Sequence, residues 1–376
     1  MTNSILIKGG KLLDISSGYN FTRKDICINN GLITEIEDDI SSVESINTIY
    51  LDDEIVAPGF IDIHTHVYKG TALGVEPDEV GIKRGVTTIF DAGSSGPKNF
   101  EDFFSKNIKD STTSVFSLLN IAYNGLENLR YELSDMNNIR VDKVKEIVNI
   151  RKDYIKGIKA RASATTVGEL GIKPIELAKK VASDLKLPLV VHIGNYPPYI
   201  DDVLDILDKG DVVTHCYHGK ANGLLDEKGD LKKSTQNAIK RGVCFDIGHG
   251  TSSFNFNTAK KAISQGFYPD IISTDIYKDN INGPVYSLET TINKLIGLGI
   301  DIDSALSKVT AVPADIFKLQ GYGRIEKGFL GDLTIFSIKD EVKILTDSDG
   351  NSIETNKHIK TSHVIKSGEI FEIEYN

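Results

Sequence analysis

The chain has 376 residues, 40% of them hydrophobic and 26% charged, an ordinary globular composition with room for one large domain and a smaller companion. The formal net charge of −10, with no basic run and no interleaved aromatic stripe, argues against a nucleic-acid surface. Nothing approaches about 18 consecutive apolar residues, and the opening "MTNSILIKGGKLLD" lacks the basic and long apolar regions of a signal peptide.

Cys27, Cys216 and Cys244 are widely spaced and odd in number, which suggests a reducing compartment and no disulfide framework. A cytoplasmic protein is expected. Its partner is expected to be a small-molecule substrate, with no nucleic acid, no membrane, and homo-oligomerisation left open.

In chain order, Asn3 to about Ala57 reads as short strands and turns. "ILIKGGKLLD", "DICINNGLITEI" and "NTIYLDDEIVAP" alternate apolar and polar residues between Gly, Asn and Asp. The end of the chain has the same texture in "LTIFSI", "VKILTDSDGNSIETNK" and "HVIKSGEIFEIE". One economical arrangement pairs both ends into a single small β-domain.

Between them, eight candidate strands recur: "GFIDIHTHV", "GVTTIFDAG", "TSVFSLLNIA", "IKGIKARAS", "LPLVVHIG", "DVVTHCYHG", "GVCFDIGHG" and "DIISTDIY". Amphipathic helical stretches such as "VDKVKEIVNIRKDY" and "PIELAKKVASDL" separate most of them. Alternation of this number predicts a (β/α)8 barrel, with chemistry at the C-terminal ends of its strands. A doubly wound open sheet is the alternative, but no GxGxxG or P-loop marks a nucleotide crevice.

Of eight histidines, His64, His66, His192, His215, His218 and His249 fall at or near candidate strand ends; His358 and His363 lie in the terminal β-segment. Residues two apart on a strand share a face. Asp62, His64 and His66 are therefore expected on one face, with Ile61, Ile63 and Val67 on the other. His192, His215 and Asp275 end further strands, and imidazole with carboxylate is a divalent-metal donor set.

On the fourth strand Gly157, Lys159 and Arg161 share a face opposite Ile158 and Ala160, which would aim Lys159 at the barrel mouth. A neutral amine there can react with carbon dioxide to form an anionic carbamate that bridges two metals. From spacing alone, the plainer reading is a lysine that reaches solvent or pairs with an acid.

"APGFIDIHTH" and "AVPADIFKLQGYGRIEKGFLGDLTIF" resemble the opening and closing signatures of the amidohydrolase superfamily. "GIKARAS", "LPLVVHIG", "VTHCYHGK", "FDIGHG" and "ISTD" resemble its amidohydrolase/deacetylase metallohydrolases, which are related to dihydroorotases and D-aminoacylases. The resemblance implies a barrel over 58–322 with a small β-sandwich from 1–57 and 323–376. It implies two divalent ions, zinc first among them. One would be held by His64, His66 and Asp275, the other by His192 and His215, with carbamylated Lys159 bridging both. Asp275 would act as general base and acid for a metal-bridging hydroxide.

The expected reaction is hydrolysis of an acyl-amide or ester in a small carboxylate-bearing substrate, such as an N-acetyl-amino acid. Arg161 is the first candidate for gripping that carboxylate. The other pocket candidates are His218, His249 and Tyr277, with Lys220, Tyr68 and Lys69; Cys216 is read as core. Cyclic-amide hydrolysis of the dihydroorotase type is the alternative, weakened because Val67 rather than a basic residue follows the HxH pair. Deaminases resemble HxxE after strand five, where this chain has His192-Ile193-Gly194-Asn195. A silent scaffold barrel would be expected to have lost ligands, and none is lost.

Overall fold

The computed structural model describes residues 4–41 and 47–375; the outer limits of the two predicted terminal segments, and 42–46 within the first, lie outside the described residues. The first five strands are β1 (Ser4–Asp14), β2 (Tyr19–Asn29), β3 (Leu32–Glu37), β4 (Asn47–Tyr50) and β5 (Ile55–Pro58). Seven more follow as β6 (Phe60–Thr65), β7 (Val86–Asp91), β8 (Ser114–Asn120), β9 (Ile155–Ala162), β10 (Leu189–Ile193), β11 (Val212–Thr214) and β12 (Cys244–Asp246). The chain ends with β13 (Leu333–Lys339), β14 (Lys343–Thr346), β15 (Ser352–Thr355), β16 (His358–Lys366) and β17 (Glu369–Glu372).

Strands β6 to β12 form one parallel seven-stranded sheet in sequence order, which curls as in a TIM-like barrel. The eighth predicted strand, "DIISTDIY", is reduced to two bridges. Ile271 pairs with Asp246 on β12 and Ile276 pairs with Thr65 on β6, so this segment joins the two edges of the sheet.

Strands buried on both faces read as near-continuous apolar runs, and two apolar layers account for them here. Ile89, Leu119, Ile158, Ala160, Val191 and Val213 face outward with the helical residues Val144, Ile175, Val181 and Val203. Phe90, Leu118, Val190, Val212 and Ile271 fill the inside with Phe317 and Leu319. One step further along several strands the inward positions turn polar: His192 follows Val190, Thr214 follows Val212, and Asn120 follows Leu118. The site therefore sits on an apolar plug.

Strict alternation fails on β6. Ile61 and Ile63 belong to the inner apolar layer rather than facing away from the histidines. The register against β7 slips between Asp62 and Thr65, so a bulge re-aims the strand, and His64 and His66 still converge above that layer.

The two ends of the chain meet in one eight-stranded sheet, ordered β17-β16-β13-β5-β1-β2-β3, with β4 also paired to β1. Ile5, Ile7, Ile26, Ile28, Leu333, Ile335 and Ile365 form its core. Not all of 323–376 joins it. β14 and β15 make a separate hairpin, and their Leu345 and Ile353 pack into the outer barrel layer instead.

Candidate metal centre

His64 and His66 come from the end of β6 and Asp275 from the closing segment. Their ligand atoms all lie within 4.8 Å of one another, with Asp275 Oδ1 at 3.4 Å from His64 Nε2 and 3.2 Å from His66 Nε2. The outer ring nitrogens are held from behind. His66 Nδ1 is 2.8 Å from Ser94 Oγ, and His64 Nδ1 is 3.0 Å from Thr214 Oγ1. The Thr214 hydroxyl donates to Asp246 Oδ2 at 2.6 Å, so it can only accept from His64. That assigns the proton to Nδ1 and leaves the Nε2 lone pair facing the centre, as metal-binding histidines are oriented.

The second pair lies across the mouth. His215 Nδ1 donates to the Gly248 carbonyl at 2.6 Å, which leaves its Nε2 lone pair 2.7 Å from His192 Nδ1. Alternation would turn His215 outward, since its neighbour Thr214 already faces inward. A left-handed backbone at His215, φ +73°, turns it back, and Asp275 has φ +49°. Such conformations cluster where a site demands a particular direction. Asn280 Nδ2, donating to the Asp275 carbonyl at 2.9 Å, holds the second of them.

Lys159 lies between the two groups. It is 1% exposed, and among the described residues no carboxylate is within ion-pair distance of it; its Nζ is 3.3 Å from His64 Nε2. It therefore neither reaches solvent nor pairs with an acid, the plainer expectation from spacing. Burial pushes its pKa down to about 8, against the pull of Asp275 and Asp246. Burial also drives His64, His192 and His215 well below the ordinary imidazole value, which keeps them in the neutral, metal-binding form. Neutral imidazoles at His64, His192 and His215, a carboxylate and a buried amine suit divalent cations. Gly93, at φ +85°, is needed here: a Cβ would lie 2.8 Å from Lys159 Cγ.

The remaining candidates divide. Arg161 donates through Nε and Nη2 to the Glu132 carboxylate at 2.5 and 2.8 Å and to the Leu129 carbonyl at 2.8 Å, and its charge bears on Lys159 and His192. His249 is fully buried, with Nδ1 on the Gly250 carbonyl and Nε2 on Lys294. Tyr68 is a core ring donating to Asp102, and Lys69 pairs with Glu76 on the surface.

Tyr277 stays at the site, its ring 6.2 Å from that of His66 and its hydroxyl on Thr251. His218 Nδ1 accepts the Lys220 backbone N–H, so its Nε2 carries the proton, and that buried group has no partner among the described residues. The Lys220 ammonium likewise forms no ion pair with an acid among the described residues, and its charge bears on His192, His215 and Asp275.

Sequence reasoning missed the supporting layer. Thr214 and Asp246 lie inside "VTHCYHGK" and "FDIGHG" beside the histidines read there, and Ser94 lies in no such segment. Asp62 accepts from His64 N, Thr274 N and Thr274 Oγ1, which ties the β6 bulge to the closing segment. Burial raises Asp246 to about 6 and Asp62 to about 7. The one available signal was position, an inward-facing polar residue just above an apolar one.

The model of the amidohydrolase family matches residues 55–371. The chain is 40% identical over 377 residues to a deacetylase of Enterococcus faecalis, covering 99% of this chain and all of that one. It is 35% identical to a deacetylase of Agrobacterium fabrum, over 92% of this chain and 86% of that one. Two solved structures share the fold. One described as an adenine deaminase has TM-score 0.93 and 40% identity, over 98% of this chain and 99% of that one. One described as a dihydroorotase has TM-score 0.92 and 33% identity, over 99% and 98%.

Proposed function

This chain belongs to the amidohydrolase family and is a hydrolase of C–N bonds, and on that premise we propose that it removes the acyl group from a small carboxylate-bearing acyl-amide. An N-acetylated amino acid is the model substrate, with the corresponding ester, whose leaving group is an alcohol, as a second. The observation that carries the reading is Lys159, buried between the two groups of histidines with no acid within ion-pair distance among the described residues. Two relatives named deacetylase, at 40% and 35% identity, support it.

His64, His66 and Asp275 would hold one divalent cation, zinc being the first candidate, and His192 with His215 the other. When bound, such ions lower the pKa of water and polarise a carbonyl. Lys159 would supply the shared anionic ligand: its neutral amine attacks carbon dioxide, an N–C bond forms, and the displaced proton leaves to solvent. Asp275, whose side chain keeps 13% exposure, would take the proton of the attacking water and pass it to the leaving nitrogen. Arg161, held in place by Glu132, the Lys220 ammonium and the His218 Nε2–H are the donors available for the substrate carboxylate.

Two other chemistries are disfavoured by particular residues. A basic residue after the HxH pair would suit cyclic-amide hydrolysis, and the fully buried Val67 stands there. A deaminase-like HxxE would place Glu where exposed Asn195 stands. The test is metal analysis of the purified protein, followed by N-acyl D- and L-amino acids, their esters, cyclic amides and adenine as substrates. Metal-dependent release of the acyl group is expected; its absence, or turnover confined to cyclic amides or adenine, overturns the reading.

A further inference from the structure

Beyond the metal donors, the tip of the β14–β15 hairpin reaches the mouth of the barrel, although the strands flanking it in sequence belong to the terminal sheet. Asp347 Oδ1 accepts from the backbone N–H of Asp349 and Asn351, at 2.9 and 2.8 Å, which sets the turn. Its Oδ2 accepts the Phe256 N–H at 2.8 Å. Asn255 Nδ2 donates to Asp349 Oδ2 at 2.6 Å, and Ser348 N donates to the Phe254 carbonyl at 3.0 Å. The tip is thereby fastened to the loop that follows β12.

That loop carries Gly250, which lies directly against the catalytic carboxylate. A Cβ there would stand 2.4 Å from Asp275 Oδ2, and the backbone is left-handed at φ +54°. Ser348 Oγ donates to the Gly250 carbonyl at 2.9 Å. His249 Nδ1 lies 2.9 Å from the same carbonyl, an acceptor only, so Nδ1 carries the proton. His249 Nε2 then accepts from Lys294 Nζ at 2.8 Å, and Lys294 also donates to the Pro284 carbonyl at 2.6 Å. Gly250 N donates to the Thr274 carbonyl at 2.9 Å, one residue before Asp275. A buried histidine and a serine from the hairpin thus converge on the Gly250 carbonyl beside Asp275, with a buried lysine behind the histidine.

We infer that Ser348, with His249 and Lys294 behind it, is a positioning residue that holds Gly250 against Asp275 and fixes the direction of its carboxylate. The consequence for turnover rests on the proton-carrying role proposed for Asp275; the clamp itself does not. Misplacing a catalytic group by a fraction of its bond length costs rate without changing what is bound.

Two measurements on Ser348→Ala, with Ser348→Thr as the hydroxyl-retaining control, separate these claims. In metal-free protein, amide exchange at 249–251 and 274–276 should quicken in the alanine variant and return toward wild type in the threonine variant. At saturating metal, kcat should fall by about 10-fold with KM unchanged. Unchanged exchange in both Ser348→Ala and Asp347→Asn overturns the clamp. Faster exchange with unchanged kcat overturns the positioning role. If the wild-type protein hydrolyses no acyl-amide, the proposed reaction fails, and exchange alone decides the clamp.

Discussion

His64, His66 and Asp275 supply two imidazoles and a carboxylate, whereas His192 and His215 supply only two imidazoles, with facing nitrogens 2.7 Å apart. The first group is complete as translated. It has a formal negative charge to offset a cation, and Thr214 and Ser94 fix its rings from behind. The second group has no acid within ion-pair distance among the described residues, and the Lys159 amine bears on both of its rings. A protonated Lys159 would repel a cation, so on the proposed reading the second half would hold a metal once that residue carries a carbamate. The contrast teaches that one half of the centre is encoded by side-chain identity and the other by an environment that keeps a lysine reactive.

The largest expected effect comes from the complete half. Asp275→Asn keeps an oxygen toward the centre but removes the proton acceptor, so kcat should fall by up to about 10⁴-fold while metal content changes little. Full activity in this variant would show that another group carries the proton. Lys159→Ala should act on the other half: metal content should drop from two ions per chain toward one, with turnover lower by about 10²–10³-fold. A small carboxylate added to this variant should restore part of both, because it replaces the missing anion.

The sign of the pH dependence follows from the direction of the shift. Burial lowers Lys159 to about 8, so its amine is neutral above that value and protonated below. Metal-free protein given metal at equal dissolved carbon dioxide should therefore recover its second ion faster at about pH 9 than at about pH 6. Equal rates would mean that Lys159 is not the group being modified.

Much of this architecture is legible in the order of the residues alone. Buried strands announce themselves as apolar runs, and each donor residue follows such a run. Periodicity does not reveal where the alternation is deliberately broken. The bulge at Asp62–Thr65 and the left-handed residues His215 and Asp275 depend on pairing with strands far away in sequence. Arg161 shows the same limit from the other side. Its direction along β9 is readable, but its engagement depends on Glu132, 29 residues earlier and in a different loop. Ser348 is further still, 98 residues from the carbonyl it holds, in a segment whose alternation marks it only as another strand end.

Thr214 offers the smallest and most selective way to sharpen the contrast between the two halves. Its hydroxyl accepts from His64 Nδ1 and donates to Asp246, so it sets the tautomer of one imidazole without itself facing the centre. Thr214→Val keeps the shape and the β-branched packing of β11 while removing that oxygen. The His64 ring then loses the acceptor that holds its proton on Nδ1, and Asp246 loses a donor in a site where burial already raises its pKa to about 6. Affinity at the His64–His66–Asp275 site should weaken by about 10–100-fold. His215, whose proton is held by Gly248 rather than by Thr214, should keep its role, so the ion held by His192 and His215 should bind as before. Metal titration of the variant decides this. Equal weakening of both ions would mean that the two halves share one supporting layer, and that their difference ends at the ligands themselves.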